Sequence, residues 1–339
     1  MECKNFIKLY KGKNILITGG LGFIGSNLAI QLVNLGANVS IVDSLIADHG
    51  ANFFNVEPVK NKINIITSDI RDRNIISRLI KDKHYIFNLA GQVSHIDSMH
   101  NPYQDLEINC TSQLSLLEAC REHNPKAKVV FASTRQIYGK PKYLPIDEDH
   151  VLQPVDVNGI NKAAGEQYHI LYNNVYGIRA CSLRLTNTYG PRQLIKHNKQ
   201  GFIAWFINRL ISGEKISIFG DGTQLRDLNF VDDVVEALLL AAIKKEADGE
   251  IFNLGSNVHI SLEDLVKKMI KIYGKGEYEL VPFPEDKKKI DIGSCYCSFD
   301  KIEKKLGWRP QVSLDEGLKK TFAYYKKNKK HYLDNQKIK

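Results

Sequence analysis

The chain of 339 residues contains no apolar run that approaches the roughly 18 residues needed to cross a membrane. It begins with the residues MECK, without the apolar stretch that is typical of a secretory signal peptide. Of its six cysteines only Cys295 and Cys297 stand close together, and no second Cys/His pair at metal-ligand spacing accompanies them. These absences predict a cytoplasmic protein with no membrane segment and no metal site.

The chain also has little net charge outside the C-terminus. The formal net charge is +9, but residues 319–339 carry eight lysines against Asp334, which is a net of +7. Only +2 therefore remains for the rest of the chain. This distribution predicts a solvated basic tail over 326–339 and no groove for nucleic acid.

The most informative pattern that is present is residues 14–25, NILITGGLGFIG, where an apolar run gives way to clustered glycines and then to a helical pattern. It predicts a buried strand, a tight turn and a helix whose N-terminal N–H groups hold a pyrophosphate. The next strand, 38–42, ends at Asp43, close to the roughly 20-residue offset at which a carboxylate meets an adenosine ribose. Because a carboxylate there repels a 2′-phosphate, the pattern favours NAD over NADP. The glycines match both G-x-G-x-x-G and G-x-x-G-x-x-G, through Gly19, Gly20, Gly22 and Gly25.

Short apolar runs alternate with helical patterns along the first half of the chain, which predicts an α/β fold with a Rossmann-like, doubly wound parallel sheet. The strand at 63–67 ends where such a sheet faces the adenine, so Asp69 and Ile70 are expected to line the adenine pocket. Glycine and proline become denser after the strand that ends at Leu185, which predicts a smaller C-terminal α/β lobe for the substrate. The predicted NAD-binding domain is 1–185 with about 230–256, and the predicted substrate-binding lobe is about 186–229 with 257–325.

A series of motifs, in order along nearly the whole chain, resembles the extended short-chain dehydrogenase/reductase family, the NAD-dependent epimerases and dehydratases of nucleotide sugars. The resemblance implies bound NAD, a nucleotide-sugar substrate and a homodimer formed through two helices, one of them just after Lys162. The motifs are TGGLGFIG at 18–25, NLAGQ at 88–92, STRQIYG at 133–139, LRLTNTYGPR at 183–192, GDG at 220–222, RD at 226–227, VDD at 231–233, FNLG at 252–255 and LGW at 306–308.

The resemblance assigns two sets of binding residues. Within the substrate set, Asn187 and Arg226 are expected at the sugar diphosphate, and the planar donor fork of arginine suits phosphate oxygens. Arg135 is expected either at an anionic substrate group such as a carboxylate or in a structural salt bridge. The substrate set is Thr134, Arg135, Asn187 and Arg226. The cofactor set is Gly19, Gly22, Phe23, Ile24, Gly25, Asp43, Asp69, Ile70, Leu89, Ala90, Gln92 and Lys162.

The catalytic device of this family is a Ser/Thr together with a Tyr-x-x-x-Lys pair, in which the lysine holds the nicotinamide ribose and lowers the tyrosine pKa. Thr134 and Lys162 fill two of these positions, but Asn158 stands where the tyrosine belongs. A carboxamide cannot accept a proton in a useful pH range. Either another group is the base or hydride chemistry is absent. The candidate bases are His95, whose ordinary pKa suits the task, Asp97 and Tyr138.

A second departure concerns the reaction type. Nucleotide-sugar 4,6-dehydratases usually follow the Thr with an acidic residue, whereas this chain has Arg135-Gln136, so dehydration is disfavoured. We therefore expect an NAD-dependent epimerase that acts at C4 through a transient 4-keto intermediate. A 4-ketoreductase or dehydrogenase that consumes external NAD(H) and a non-catalytic binding protein are the alternatives. In the epimerase, Thr134 orients the hydroxyl, Lys162 holds the ribose, Asn158 positions the sugar or a water, and His95 moves the proton.

Overall fold

The computed structural model describes residues 3–333, apart from the side chains of 3–5 and 286. The strands are β1 Asn14–Thr18, β2 Asn38–Asp43, β3 Ile63–Thr67, β4 Tyr85–Asn88, β5 Lys128–Thr134, β6 Ala180–Leu185, β7 Asn187–Tyr189, β8 Ile216–Phe219, β9 Leu225–Phe230, β10 Ile251–Leu254, β11 His259–Ser261 and β12 Tyr278–Val281. The helices are α1 Cys3–Tyr10, α2 Phe23–Asn34, α3 Arg73–Leu79, α4 His95–His100, α5 Pro102–Leu106, α6 Ser112–His123, α7 Val157–Tyr176, α8 Phe202–Ser212, α9 Val231–Ile243, α10 Leu262–Tyr273, α11 Glu285–Lys288, α12 Asp300–Leu306, α13 Leu314–Asn328 and α14 Lys330–Leu333.

Seven strands form one parallel sheet in the order β10-β6-β5-β4-β1-β2-β3. The chain builds outward from β1 to β3 on one side and then returns to β4 on the other side of β1. The strand order therefore reverses between β1 and β4, and open α/β sheets bind ligands in the crevice at such a reversal. The predicted Rossmann-like, doubly wound sheet is confirmed.

The C-terminal half adds two small sheets, one with the order β11-β9-β7 and one that pairs β12 with β8. Only Thr186 separates β6 of the large sheet from β7 of the three-stranded sheet. The second group of strands therefore begins at the carboxyl edge of the large sheet, where the ligand crevice lies. The predicted limits of two domains stay a prediction.

The helix that the resemblance places just after Lys162 begins before that residue. The first residue of α7 is Val157, because the side chain of Asp156 accepts a hydrogen bond of 2.7 Å from Gly159 N and caps the helix. The residue in the tyrosine position, Asn158, is therefore held in the first turn of a regular helix rather than in a loop before it.

The sequence predicts a solvated basic tail from residue 326, but helix α13 continues to Asn328. Tyr325 is buried and donates a 2.5 Å hydrogen bond to Gln193 O. In α14, Tyr332 is buried as well. The part of the predicted tail that the structure describes, 326–333, thus packs against the rest of the protein, and 334–339 lie outside the described residues.

Among residues 3–333, no helix combines the length and the apolar character that crossing a bilayer requires. In the same range, no group of three or more His, Cys, Asp or Glu side chains is arranged to hold a metal ion.

A buried histidine in α7 makes stability depend on pH. His169 stacks on Phe131 with ring centres 4.4 Å apart, and its Nδ1 lies 2.7 Å from Gly165 O. Burial lowers its pKa to about 4. Because the unfolded chain binds this proton near pH 6.5 and the folded chain only near pH 4, the free energy of unfolding should fall by about 3 kcal/mol as the pH drops through that window.

Chemical denaturation of His169→Gln between pH 7 and pH 4 measures this contribution. We expect the variant to lose stability less steeply than the wild type on acidification. The control is His123→Gln, at an exposed position, which should retain the wild-type slope. A His169→Gln slope equal to that of the wild type would contradict the assignment.

Candidate active site

A cleft of about 480 Å³ opens at the carboxyl edge of the large sheet. All twelve predicted cofactor positions line it. Among the predicted substrate-binding and catalytic residues, Arg226 alone does not line the cleft. The residues of these two sets that line the cleft are His95, Thr134, Arg135, Asn158, Lys162 and Asn187.

The glycine turn forms a cradle that a larger residue would fill. Gly19 has φ +68°, and a Cβ on it would lie 3.0 Å from Ala90 Cα. A Cβ on Gly25 would lie 2.3 Å from Gly19 O, so the helix start can pack this closely only with glycine. No side chain caps α2 at Gly22, and its first N–H groups need an acceptor from elsewhere. The turn therefore fits the diphosphate of a dinucleotide.

Asp43 lies at the end of β2 on the wall of the same cleft. Its Oδ2 accepts a hydrogen bond of 3.1 Å from Leu21 N, and its Oδ1 accepts one of 3.1 Å from Leu45 N. Burial nevertheless raises the pKa of this carboxyl. Because a carboxylate has about four acceptor sites, the two oxygens retain the capacity to accept from ribose hydroxyls. The acceptor that the sequence predicts for an adenosine ribose is thus in place.

Asp69 and Ile70 also line the cleft, but Asp69 is already engaged. Arg71 donates to both of its oxygens, at 3.0 and 2.8 Å, and this pairing lowers the pKa of Asp69. Arg71 reaches Glu107 as well, at 2.6 Å. Asp69 therefore contributes to the cleft as a fixed wall, with its charge balanced by Arg71.

Lys162 and Thr134 form the centre of the cleft. The Lys162 amine donates to Ala132 O at 3.2 Å and lies 5.0 Å from the centre of the Phe131 ring. Burial lowers the pKa of Lys162 to about 8, and the charge of Asp105 opposes that shift. Thr134 ends β5, and its hydroxyl accepts from Gln136 N at 3.3 Å. A buried, poorly solvated cation and an oriented hydroxyl thus face the same cavity.

Asn158 is held by two hydrogen bonds from its amide nitrogen. Nδ2 donates to Gln92 O at 2.7 Å and to Asp105 Oδ2 at 3.1 Å. Neither partner can donate, so the carboxamide has only this orientation, and its oxygen is the atom left for a ligand. Asp105 is buried and also accepts from Asn161, at 2.8 Å. Sequence reasoning missed Asp105 and Asn161, because no motif connects them to Asn158.

Of the three candidate bases, one lies in the cleft. This is His95, whose Nδ1 lies 2.5 Å from Asp156 Oδ2 and whose ring also contacts the Gln136 amide. Asp97 does not line the cleft and pairs with Lys199 at 3.1 Å. Sequence reasoning missed Asp156. An aspartate is a typical helix cap, so its place two residues before Asn158 was the signal that could have identified the start of α7.

The candidate Tyr138 does not reach the cleft. Its ring is fully buried, its hydroxyl donates to Asn253 Oδ1 at 2.7 Å, and the Arg184 guanidinium lies 4.8 Å from the ring centre. Burial raises the pKa of Tyr138 above its ordinary value, which opposes ionisation. The geometry therefore assigns Tyr138 to the core and leaves His95 as the candidate base.

Positive charge is concentrated at the far end of the cleft. Arg135 donates to Asn187 Oδ1 and to Cys295 Sγ, each at 3.3 Å. Both partners are uncharged polar groups, so the guanidinium charge is available to an anion. Asn187 is fixed in turn, because its Nδ2 donates to Asp227 O at 2.9 Å. The sequence left two roles open for Arg135, and its contacts are these two hydrogen bonds rather than a structural salt bridge.

Arg226 lies behind this surface and is buried. Its Nη1 donates to Leu225 O at 2.9 Å and to Gly293 O at 2.5 Å. Burial and the nearby charge of Arg135 lower the pKa of Arg226 to about 10, and burial raises the pKa of Asp227 to about 6. Two guanidinium groups thus lie near one buried carboxyl, that of Asp227, and an incoming anion would stabilise this arrangement.

The fold and the cleft define a dinucleotide-binding protein, and comparisons with known proteins identify its family. The model of a family described as GDP-mannose 4,6 dehydratase matches residues 16–321. UDP-glucose 4-epimerase of Mycolicibacterium smegmatis is 33% identical over 313 residues, which are 92% of this chain and 98% of that protein.

Two solved structures are similar over nearly their whole length. UDP-glucose 4-epimerase of Thermotoga maritima with UDP-glucose has a TM-score of 0.84 and 34% identity, and the match covers 93% of this chain and 99% of that one. The Thermus thermophilus UDP-glucose 4-epimerase complex with NAD has a TM-score of 0.82 and 31% identity, with 92% and 99% covered. This chain belongs to the extended short-chain dehydrogenase/reductase family, in the group of nucleotide-sugar epimerases and dehydratases.

Proposed function

We propose that this protein is an NAD-dependent epimerase that inverts C4 of a nucleotide-activated hexose through a transient 4-keto intermediate. The observation that carries the proposal is that one cleft combines the glycine cradle and Asp43 with Lys162 and Thr134. NAD, when bound, accepts a hydride from the sugar carbon and can return it to either face of the ketone. Relatives named as UDP-glucose 4-epimerases support the same reaction.

Each residue at the centre of the cleft has a role in this reaction. The charged amine of Lys162 holds the nicotinamide ribose, and the Thr134 hydroxyl orients the hydroxyl of the reacting carbon. The Asn158 oxygen, fixed by the bonds of its amide nitrogen, accepts from a second sugar hydroxyl or from a water. Arg135 and Asn187 bind the diphosphate, and Arg226 adds positive charge from behind them.

Two side chains argue against 4,6-dehydration. Water elimination needs an acid at the position after Thr134, where relatives of that type carry a carboxylate. Here Arg135 is directed to Asn187, and the Gln136 amide contacts His95. Neither side chain can donate and then recover a proton as a carboxyl does, so epimerisation is the reaction that these residues support.

We infer that the enzyme is a homodimer. Helix α7 presents Ile160, Leu171 and Val175 to solvent, with 55%, 48% and 61% of their surfaces exposed, and Tyr103 of the neighbouring α5 is 78% exposed. Ile160, Leu171 and Val175 are spaced so that they share one face of the helix, and apolar side chains exposed along one face are typical of a contact surface. Light scattering on the purified protein measures the oligomeric state.

The test of the proposed function is turnover of a panel of UDP-, GDP-, CDP- and dTDP-hexoses labelled with deuterium at C4. We expect one of them to give its C4 epimer with deuterium retained at C4 and with only a transient rise of absorbance at 340 nm. Steady turnover of added NAD(H) would instead indicate a reductase or dehydrogenase. Binding of a sugar without any product would indicate a non-catalytic protein.

The arginine at the far end of the cleft provides a separate prediction. Arg135→Met should weaken the binding of the preferred nucleoside diphosphate by roughly 10–100-fold, because a hydrogen bond to a charged group contributes about 1.5–3 kcal/mol. Isothermal titration calorimetry with UDP, GDP, CDP and dTDP measures the change. Arg309→Met, at an exposed position, is the control and should bind as the wild type does. Equal affinities in Arg135→Met and the control would place the diphosphate elsewhere.

A further inference from the structure

His95 and Asp156 form a hydrogen-bonded pair on the wall of the cleft. Nδ1 of His95 lies 2.5 Å from Oδ2 of Asp156. A carboxylate only accepts, so the proton of the neutral ring is on Nδ1 and the lone pair is on Nε2. This is the tautomer that a carboxylate imposes on the histidine of a Ser-His-Asp triad, where it also stabilises the protonated ring.

Asp156 is rigidly placed for this task. Its side chain is 3% exposed, and its second oxygen caps α7 through Gly159 N at 2.7 Å. Burial alone would raise the Asp156 pKa, yet the hydrogen bond from His95 brings it below its ordinary value. The same helix start carries Asn158 and, one turn further on, Lys162. The orientation of His95 is therefore set by the element that positions the centre of the cleft.

The other ring nitrogen of His95, Nε2, faces Gln136. The Gln136 amide contacts Nε2 of His95, and Gln136 N donates to the Thr134 hydroxyl at 3.3 Å. His95, Thr134 and Gln136 all line the cleft, and the His95 side chain is 38% exposed. A sugar hydroxyl that Thr134 orients would take the place of the Gln136 amide on Nε2.

We propose that the His95–Asp156 pair replaces the tyrosine of the family as proton acceptor for the reacting sugar hydroxyl, and that Gln136 covers Nε2 until substrate displaces it. The proposal rests on the proposed epimerase function. The O–H bond breaks, its proton goes to Nε2, the carbonyl forms, and the hydride that leaves the same carbon goes to the oxidised nicotinamide dinucleotide. The reverse transfers return the hydride and the proton.

The other polar groups near the reacting position suit this task less well. The Lys162 amine donates to Ala132 O and carries a proton at neutral pH, because its pKa is about 8. Asp105 does not line the cleft and accepts from Asn158 and Asn161, and Asp97 does not line it either and is paired with Lys199. Asn158 has no proton-accepting chemistry. Within the described residues, His95 is the candidate base that faces the cleft with a free lone pair once Gln136 moves.

Substrate-dependent NADH formation in a single turnover, followed at 340 nm with the full-length NAD-loaded enzyme, tests the proposal. His95→Ala and Asp156→Asn should slow this step by roughly 10²–10⁴-fold while the calorimetric affinity for the nucleotide sugar stays within a few-fold. Asparagine is itself a good helix cap, so Asp156→Asn keeps the start of α7. Asp72→Asn, at the cap of α3, is the matched control and should react at the wild-type rate.

Two further readouts separate proton transfer from a structural role. Imidazole in solution should restore the step in His95→Ala, because the exposed ring leaves an accessible space. In ¹⁵N-histidine NMR of the enzyme without substrate, His95 should be protonated on Nδ1, and this signature should be lost in Asp156→Asn. Gln136→Ala, which uncovers Nε2, should react several-fold faster than the wild type.

A wild-type rate in His95→Ala would overturn the proposal while leaving the epimerase function intact. A wild-type enzyme that converts no nucleotide sugar would instead overturn the proposed function. Loss of activity in His95→Ala without rescue by imidazole, together with an unchanged histidine spectrum in Asp156→Asn, would show that the pair is structural only.

Discussion

Replacing Glu166 with alanine is expected to lower the free energy of unfolding by about 3–5 kcal/mol, since it leaves a buried guanidinium without its counter-charge. Glu166 is fully buried in α7, and Arg184 of β6 donates to both of its oxygens, with a shortest distance of 2.6 Å. Ser182 adds a further hydrogen bond, at 2.8 Å. Urea denaturation at neutral pH measures the loss.

The double variant Glu166→Leu/Arg184→Met provides the control for this prediction. It removes both charges and keeps apolar volume, so it should recover most of the loss. Glu57→Ala breaks an exposed pair with Lys60 and should change stability by less than about 1 kcal/mol. If Glu166→Ala were as stable as Glu57→Ala, the Arg184 charge would have to be balanced by another group.

Lys162→Met is expected to stabilise the protein without cofactor while abolishing its activity. Burial lowers the Lys162 pKa to about 8, so the charged amine costs the folded state about 3 kcal/mol near pH 7. Methionine fills the space without a charge, and we expect a gain of about 1–3 kcal/mol. Turnover should fall at least 10²-fold, because the ribose loses its charged donor. Thermal denaturation and the epimerase assay measure the two effects.

The stability advantage of Lys162→Met over the wild type should depend on pH. Between about pH 8 and pH 10.5 the folded wild type has released the Lys162 proton while the unfolded chain still binds it, so wild-type stability rises with pH. The advantage of Lys162→Met should therefore shrink over that range. Lys81→Met, at an exposed position, should show neither effect. A Lys162→Met protein less stable than the wild type at pH 7 would contradict the account.

Together these variants separate two uses of the same helix. Glu166 in the middle of α7 fixes the helix to the sheet through Arg184. Near the start of α7, the buried charge of Lys162 lowers the free energy of unfolding. Residues that lower the stability of the folded state are typical of functional sites. This contrast is the pattern expected where a functional site lies at the start of α7.

Much of the cofactor half of the site could be predicted because its residues are local in sequence. Each lies at or just after the end of a parallel strand, and parallel strands bring their carboxyl ends to one edge of a sheet. The glycine turn and Asp43 follow β1 and β2 directly, and Ala90 follows β4 by two residues. Recognising the strands was therefore enough to bring these residues together.

The partners of Asn158 and His95 could not be predicted in the same way. Asp105 is 53 positions from Asn158, and His95 is 61 positions from Asp156. They meet because α4 and α5 pack against the start of α7, and no periodicity in the sequence encodes that packing. The course of the C-terminal segment was missed for a similar reason, since Tyr332 packs against Phe54 and hydrogen-bonds to Asn55, which are more than 270 positions away.

The amino-acid sequence by itself determined the alternation of strands and helices in the first half of the chain, the Rossmann-like sheet, the glycine turn and the family, because these depend on local periodicity and on spacings within single βα units. The tertiary structure alone decided which carboxylates serve the helix start that lacks the family tyrosine, and that Tyr138 belongs to the core while His95 faces the cleft. Those outcomes depend on which helix faces meet, and packing between distant segments sets them.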